Sequence, residues 1–167
     1  MSRPELPRLD RKPLIALVDR VNRALQTEMV RRAHVEGHVE VKMAHNSVFA
    51  TLSRQGSRAA DMAARAGITR QSMGEVVRDM VGLGILEMRT DPDDGRAKVV
   101  TYSEHGLNVA GDGYRYLAKL ERRFEEEFGE EEYAVARDVL ERLVGLLDRI
   151  AAEEADQGSS AAGGRVG

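Results

Sequence analysis

Apolar residues recur along this chain at steps of three and four, and the pattern turns β-like only once. Leu14, Leu17, Val18, Val21, Leu25 and Met29 mark one face of a helix that the spacing predicts over residues 14–34. Gly37 interrupts it. A second helix is predicted over 39–54, with Ala44, Val48 and Leu52 one turn apart, Phe49 beside them and Gly56 placed to end it. Ser57 reads as the N-cap of a short helix over 58–66. Gly67 supplies a left-handed turn, and Ile68 is expected to plug the core. Thr69 caps a further helix reaching residue 83, with Met73, Val76, Val77 and Met80 as its buried stripe, and Gly84 terminates it.

The β-like stretch follows. Residues 85–90 and 97–102 carry β-formers on either side of Asp91-Pro92-Asp93-Asp94-Gly95-Arg96, a hairpin signal. Ser103 then caps a long helix, with Glu104 at its positive end and Leu107, Ala110, Tyr114, Leu117, Leu120, Phe124 and Phe128 as its apolar positions. Gly129 breaks it. A last helix is predicted over 130–152, carrying Val139, Leu140, Leu143, Leu146, Leu147 and Ile150. Residues 1–13, with Pro4, Pro7 and Pro13, are expected to form an extended arm, and 153–167 a disordered tail. The fold class is therefore mainly α with a small β wing (α+β). A winged helix-turn-helix module covers 38–103, and helical segments 14–36 and 104–152 are left to dimerise.

Composition narrows the chemistry. The chain has no cysteine, which excludes disulfides, thiolate metal sites and cysteine redox switching. No run of about 18 uninterrupted apolar residues exists, so no membrane span is expected and a cytoplasmic location is. Aromatics are too few for a platform that stacks single-stranded bases. The net charge of −3 is unevenly spread: residues 104–156 hold 7 basic and 15 acidic residues, whereas residues 1–50 hold 9 basic and 6 acidic. The acid thus lies outside the helix-turn-helix, where phosphate contacts would form. No Walker loop, dinucleotide fingerprint or nucleophile elbow is present, so neither an enzyme nor a cofactor is expected.

A helix, a three-residue turn containing Gly and a second helix form the hairpin that inserts its second helix into the major groove of duplex DNA. The exposed face of that second helix would carry Thr69, Arg70, Gln71, Ser72, Gly74, Glu75 and Arg78. Arginine can read guanine, glutamine can read adenine, and Gly74 permits close approach. His34 and His38 lie four apart and would share a face of a continuous helix, but Gly37 falls between them, and no metal site is expected.

Several segments together resemble the MarR family of multiple antibiotic resistance regulators: Asp61-Met62-Ala63-Ala64-Arg65-Ala66-Gly67-Ile68-Thr69-Arg70-Gln71-Ser72, Gly84-Ile85-Leu86-Glu87, Asp91-Pro92-Asp93-Asp94-Gly95-Arg96-Ala97-Lys98 and Ser103-Glu104-His105-Gly106. The resemblance spans about residues 14–152. It implies a ligand-responsive transcriptional repressor, a homodimer bound to a pseudo-palindromic operator. Helix 69–83 would lie in the major groove and wing 85–102 in the minor groove. The family's Asp-x-Arg wing motif falls on Asp94 and Arg96, so Asp94 would brace the wing and Arg96 enter the minor groove, with Lys98 nearby. The resemblance also implies a pocket for a small aromatic or phenolic anion, with Arg31, Met43, His45 and Asn46 as candidate lining residues. The sequence departs from the family at Met88, where a basic residue is common, and at Val81-Gly82-Leu83, where charge is usual. The alternative is a winged-helix dimer that acts by binding another protein.

Overall fold

The structure is a computed structural model, and it describes residues 10–91, 95 and 97–163. The helices are α1 (Leu14–Val35), α2 (Asn46–Phe49), α3 (Ala59–Ala66), α4 (Arg70–Gly82), α5 (Glu104–Phe128) and α6 (Glu130–Gly163), and the strands are β1 (Leu86–Thr90) and β2 (Lys98–Tyr102). Two compact units divide the chain within α5, at Leu117.

In the first unit, Val48, Leu52, Met62, Ala63, Met73, Val77, Met80, Ile85, Leu86 and Val100 close into one apolar core. The stripe predicted for residues 69–83 lies in it, except that Val76 packs only at its edge. β1 and β2 pair antiparallel, with Leu86 opposite Tyr102 and Thr90 opposite Lys98. Ser57 exchanges both backbone hydrogen bonds with Val100, at 3.0 and 2.9 Å, which adds a one-residue third strand to the wing. Gly56 makes this approach possible. Its φ is +96°, and a Cβ there would lie 2.6 Å from the Val99 side chain.

Three sequence expectations for this unit need correction. The helix predicted over 39–54 is a 3-10 turn (Met43–His45) followed by the single turn of α2. The buried residues of this stretch are Val41, His45, Val48 and Leu52. They keep helical spacing, which explains the pattern, but His45 replaces Ala44 on the inner face. Hydroxyls compete for the backbone here: Ser47 Oγ donates to the Ala44 carbonyl at 2.8 Å and Thr51 Oγ1 to the Ser47 carbonyl at 2.6 Å. Ser57 does not cap α3; its hydroxyl instead accepts from the Ser53 amide and from Arg65, at 3.1 and 3.0 Å. Ile68 is exposed rather than plugged into the core.

α1 contributes no fully buried residue, and Leu14, Ile15, Leu17, Val18 and Val21 are all exposed. Gly37, at φ +95°, ends the helix region. The loop beyond it is tied to α5 by His38 Nε2 to Asp112 Oδ2 (2.9 Å) and His105 Nε2 to Glu40 Oε1 (3.0 Å). Ser103 caps α5 as predicted, its hydroxyl accepting from the Gly106 amide at 2.9 Å.

The second unit is the remainder of α5 with α6. Phe124 and Tyr133 rings meet at 5.9 Å, and Glu121 accepts from Tyr133 Oη at 2.9 Å and pairs with Arg137 at 2.5 Å. α6 passes the expected end at 152 and runs to Gly163, against the disordered tail predicted from 153. Residues 151–157 are mostly good helix formers, and only the glycines at 163–164 offer a consecutive break. Among the described residues, no helix is long and apolar enough to cross a membrane.

Candidate nucleic-acid interface

α3 and α4 are joined by Gly67-Ile68-Thr69. Gly67 adopts the left-handed conformation (φ 64°, ψ 28°) that ends α3. Thr69 Oγ1 then accepts from the Ser72 amide at 3.1 Å and caps α4. With Met73, Val77 and Met80 buried, Arg70, Gln71, Ser72, Glu75 and Arg78 face outward, all exposed. Glu75 accepts from Gln71 Nε2 at 3.2 Å, and the Thr69 and Ser72 hydroxyls lie 2.8 Å apart. Neither Arg70 nor Arg78 forms an ion pair with another described residue. The Arg78 guanidinium reaches back across Gly74, 3.3 Å from where a Cβ would stand. A larger residue at 74 would displace it.

The base of the wing is fixed by a buried carboxylate. Asp91 donates its amide to the Ala97 carbonyl at 3.0 Å, closing the hairpin. Its Oδ2 accepts from Arg58, just before α3, at 2.8 Å from Nε and 2.6 Å from the terminal nitrogen. Lys98 Nζ donates to Thr90 Oγ1 across the strands at 3.1 Å. Asp94 and Arg96 lie outside the described residues.

α4 is also gripped from behind. Lys42 Nζ and His45 Nε2 each lie 2.8 Å from Asp79 Oδ2. His45 is fully buried, and its Nδ1 accepts from the Lys42 amide at 3.2 Å. With Nδ1 accepting from the backbone, Nε2 is the ring nitrogen that donates to Asp79. The Lys42 ammonium, and after it this imidazole, hold the Asp79 carboxyl below its ordinary range.

A cavity of about 420 Å³ opens between α1, α2 and α5. Leu25, Met29, Phe49 and Val109 are among its apolar walls.

The sequence matches no protein-family model and no curated protein. Solved structures do match. The crystal structure of MarR superposes with TM-score 0.70 at 19% identity, over 88% of this chain and 99% of that one. The transcriptional regulator PA4135 matches at 25% identity and TM-score 0.59, over 80% and 96%. The PcaV transcriptional regulator of Streptomyces coelicolor, solved with its natural ligand, matches at 23% and 0.58, over 78% and 89%. The chain has the MarR-family fold.

Set into the MarR fold, the residues singled out from the sequence separate into groups. Thr69, Arg70, Gln71, Ser72, Glu75 and Arg78 come together on and just before α4, and Lys98 lies on the wing. Of the four pocket candidates, Asn46 lines the cavity, and its Nδ2 donates to the Gln26 carbonyl at 3.4 Å. Arg31, Met43 and His45 are not among the lining residues. Arg31 pairs with Glu28 at 2.6 Å, Met43 is exposed, and His45 is turned to Asp79. His34 and His38 also part company, His34 Nε2 bonding the Val41 carbonyl at 2.8 Å and His38 bonding Asp112. Asp79 and Asp91, which hold α4 and the base of the wing, were missed. Their partners lie 37, 34 and 33 residues away, and no local pattern marks such pairs.

Proposed function

We propose that this protein is a MarR-type transcription regulator that binds duplex DNA sequence-specifically as a homodimer and responds to a small molecule. The observation that carries the reading is the outward face of α4. Two arginines without ionic partners among the described residues stand there beside Gln71 and Ser72, on the second helix of a helix-turn-helix. An arginine fork matches the acceptor edge of guanine and a glutamine amide matches adenine, so this face is chemically equipped for the major groove. Glu75 holds Gln71 and limits its rotamers. Asp94, Arg96 and Lys98 are assigned to the wing. Arg96 would enter a narrow minor groove, Asp94 would orient it, and Lys98 would contact phosphate.

Dimerisation is assigned to α1 and α6. Each exposes large apolar side chains, Ile15 at 79% and Leu147 at 62%, which water solvates poorly. Two-fold symmetry would place two α4 helices in successive major grooves, about one DNA turn apart.

Selection of bound sequences from a random duplex pool, followed by anisotropy titration at two salt concentrations, tests the reading. Arg78→Ala should cost about 1–3 kcal/mol and relax preference at one base position. Arg96→Ala should weaken binding and lower its salt dependence while leaving the preferred major-groove bases unchanged. If wild type and both variants bind every duplex alike, α4 is not the reading element.

A further inference from the structure

We propose that the cavity between α1, α2 and α5 selects a neutral amphipathic molecule over an anion. As an effector site it rests on the regulator reading above, but the selectivity follows from the cavity itself. Among the described residues its polar lining consists of the Asn22, Gln26 and Asn46 amides and the Tyr114 phenol, and none of these lining residues is charged.

The cations that neighbouring sequence would offer are engaged elsewhere. Arg31 is held by Glu28, Lys42 by Asp79, and Arg32 pairs with Glu36 while lying over the Tyr116 ring at 5.2 Å. A carboxylate or phenolate entering this cavity would lose hydration and gain no ion pair. A neutral amide or hydroxyl compound loses far less. Each of the three side-chain amides offers it both a donor and an acceptor.

Tyr102 stands behind one wall of the cavity. Its ring stacks on Phe49, a wall residue, at 6.3 Å and 13°. Its hydroxyl oxygen is buried with no hydrogen-bond partner among the described residues. Burial, and then the nearby Tyr114 phenol, push its ionisation well above the ordinary tyrosine range.

A matched pair of planar probes decides the matter: 2-naphthamide, neutral, and 2-naphthoate, anionic at pH 7.5. Titration calorimetry and thermal shift on the full chain should show the amide binding at least about tenfold tighter. Gln26→Arg places a cation in the wall and should abolish or invert that preference. Asn22→Arg, at a more exposed point of the same wall, does the same if the first variant fails to fold. Equal or tighter binding of the naphthoate to wild type overturns the proposal, as does binding of neither probe at millimolar concentration. An amide preference unchanged in the folded arginine variant overturns the assignment to this cavity. Duplex-DNA titration runs separately. Lost selectivity with intact DNA binding counts against this inference alone, and absent DNA binding with intact selectivity counts against the regulator reading alone.

Discussion

At Gly106 a single hydrogen decides whether the wing and α5 can meet. A Cβ on this residue would lie 1.8 Å from the Ile85 carbonyl oxygen, and backbone on both sides leaves little room to yield. Gly106→Ala should therefore destabilise the protein by roughly 3 kcal/mol, toward the upper end of overpacking effects. Gly82 is the control. It is helical, nothing lies within 4 Å of where its Cβ would stand, and Gly82→Ala should cost nothing or add a few tenths of a kcal/mol. Thermal denaturation of both variants checks the pair, and an unaltered melting temperature for Gly106→Ala would refute the close contact. In the sequence, Gly106 was legible only as part of a motif, because the atom that forbids a side chain is 21 residues away. Gly67 and Thr69 were legible with their reasons, since a left-handed turn and an N-cap are satisfied within three or four residues.

Elements were read well where their own periodicity decided them and poorly where tertiary partners did. α1, α3, α4 and both strands stand within a residue or so of their predicted bounds. The stretch 39–54 does not, because burying His45 against Asp79 and diverting hydroxyls to backbone carbonyls outweigh a modest helix propensity. That same contact joins the Lys42–His45 turn to α4 and gives the joint a pH dependence. Asp79 is held below its ordinary value in the fold and regains that value when unfolded. Below about pH 4 the unfolded chain thus binds more protons, and the stabilisation is lost as pH falls through the folded value. Glu28, lowered to about 2 by Arg31 and then Tyr116, is lost in the same direction but further into acid. Asp79→Asn should lower stability at neutral pH and flatten the decline of melting temperature between about pH 5 and 2. A decline as steep as in wild type would show that the Asp79 contacts contribute nothing in solution.

At the scale of the whole molecule, the acidic C-terminal segment was legible from charge, and the surplus of apolar helix faces from periodicity. What covers those faces was not, because periodicity identifies a face without naming its partner. Under the homodimer reading, the melting temperature should rise with protein concentration, since mass action favours the associated folded state. Sedimentation as a monomer at micromolar concentration, with a concentration-independent melt, would overturn it.

α1 holds no fully buried residue, and every apolar side chain of its first two turns is exposed. Among the described residues none buries those turns within one protomer, so protection of their amide protons beyond that of the helix's own hydrogen bonds reports the second copy. Dilution should speed their exchange with deuterium, while the amides around Met73 and Val77 keep a rate set by the winged core alone.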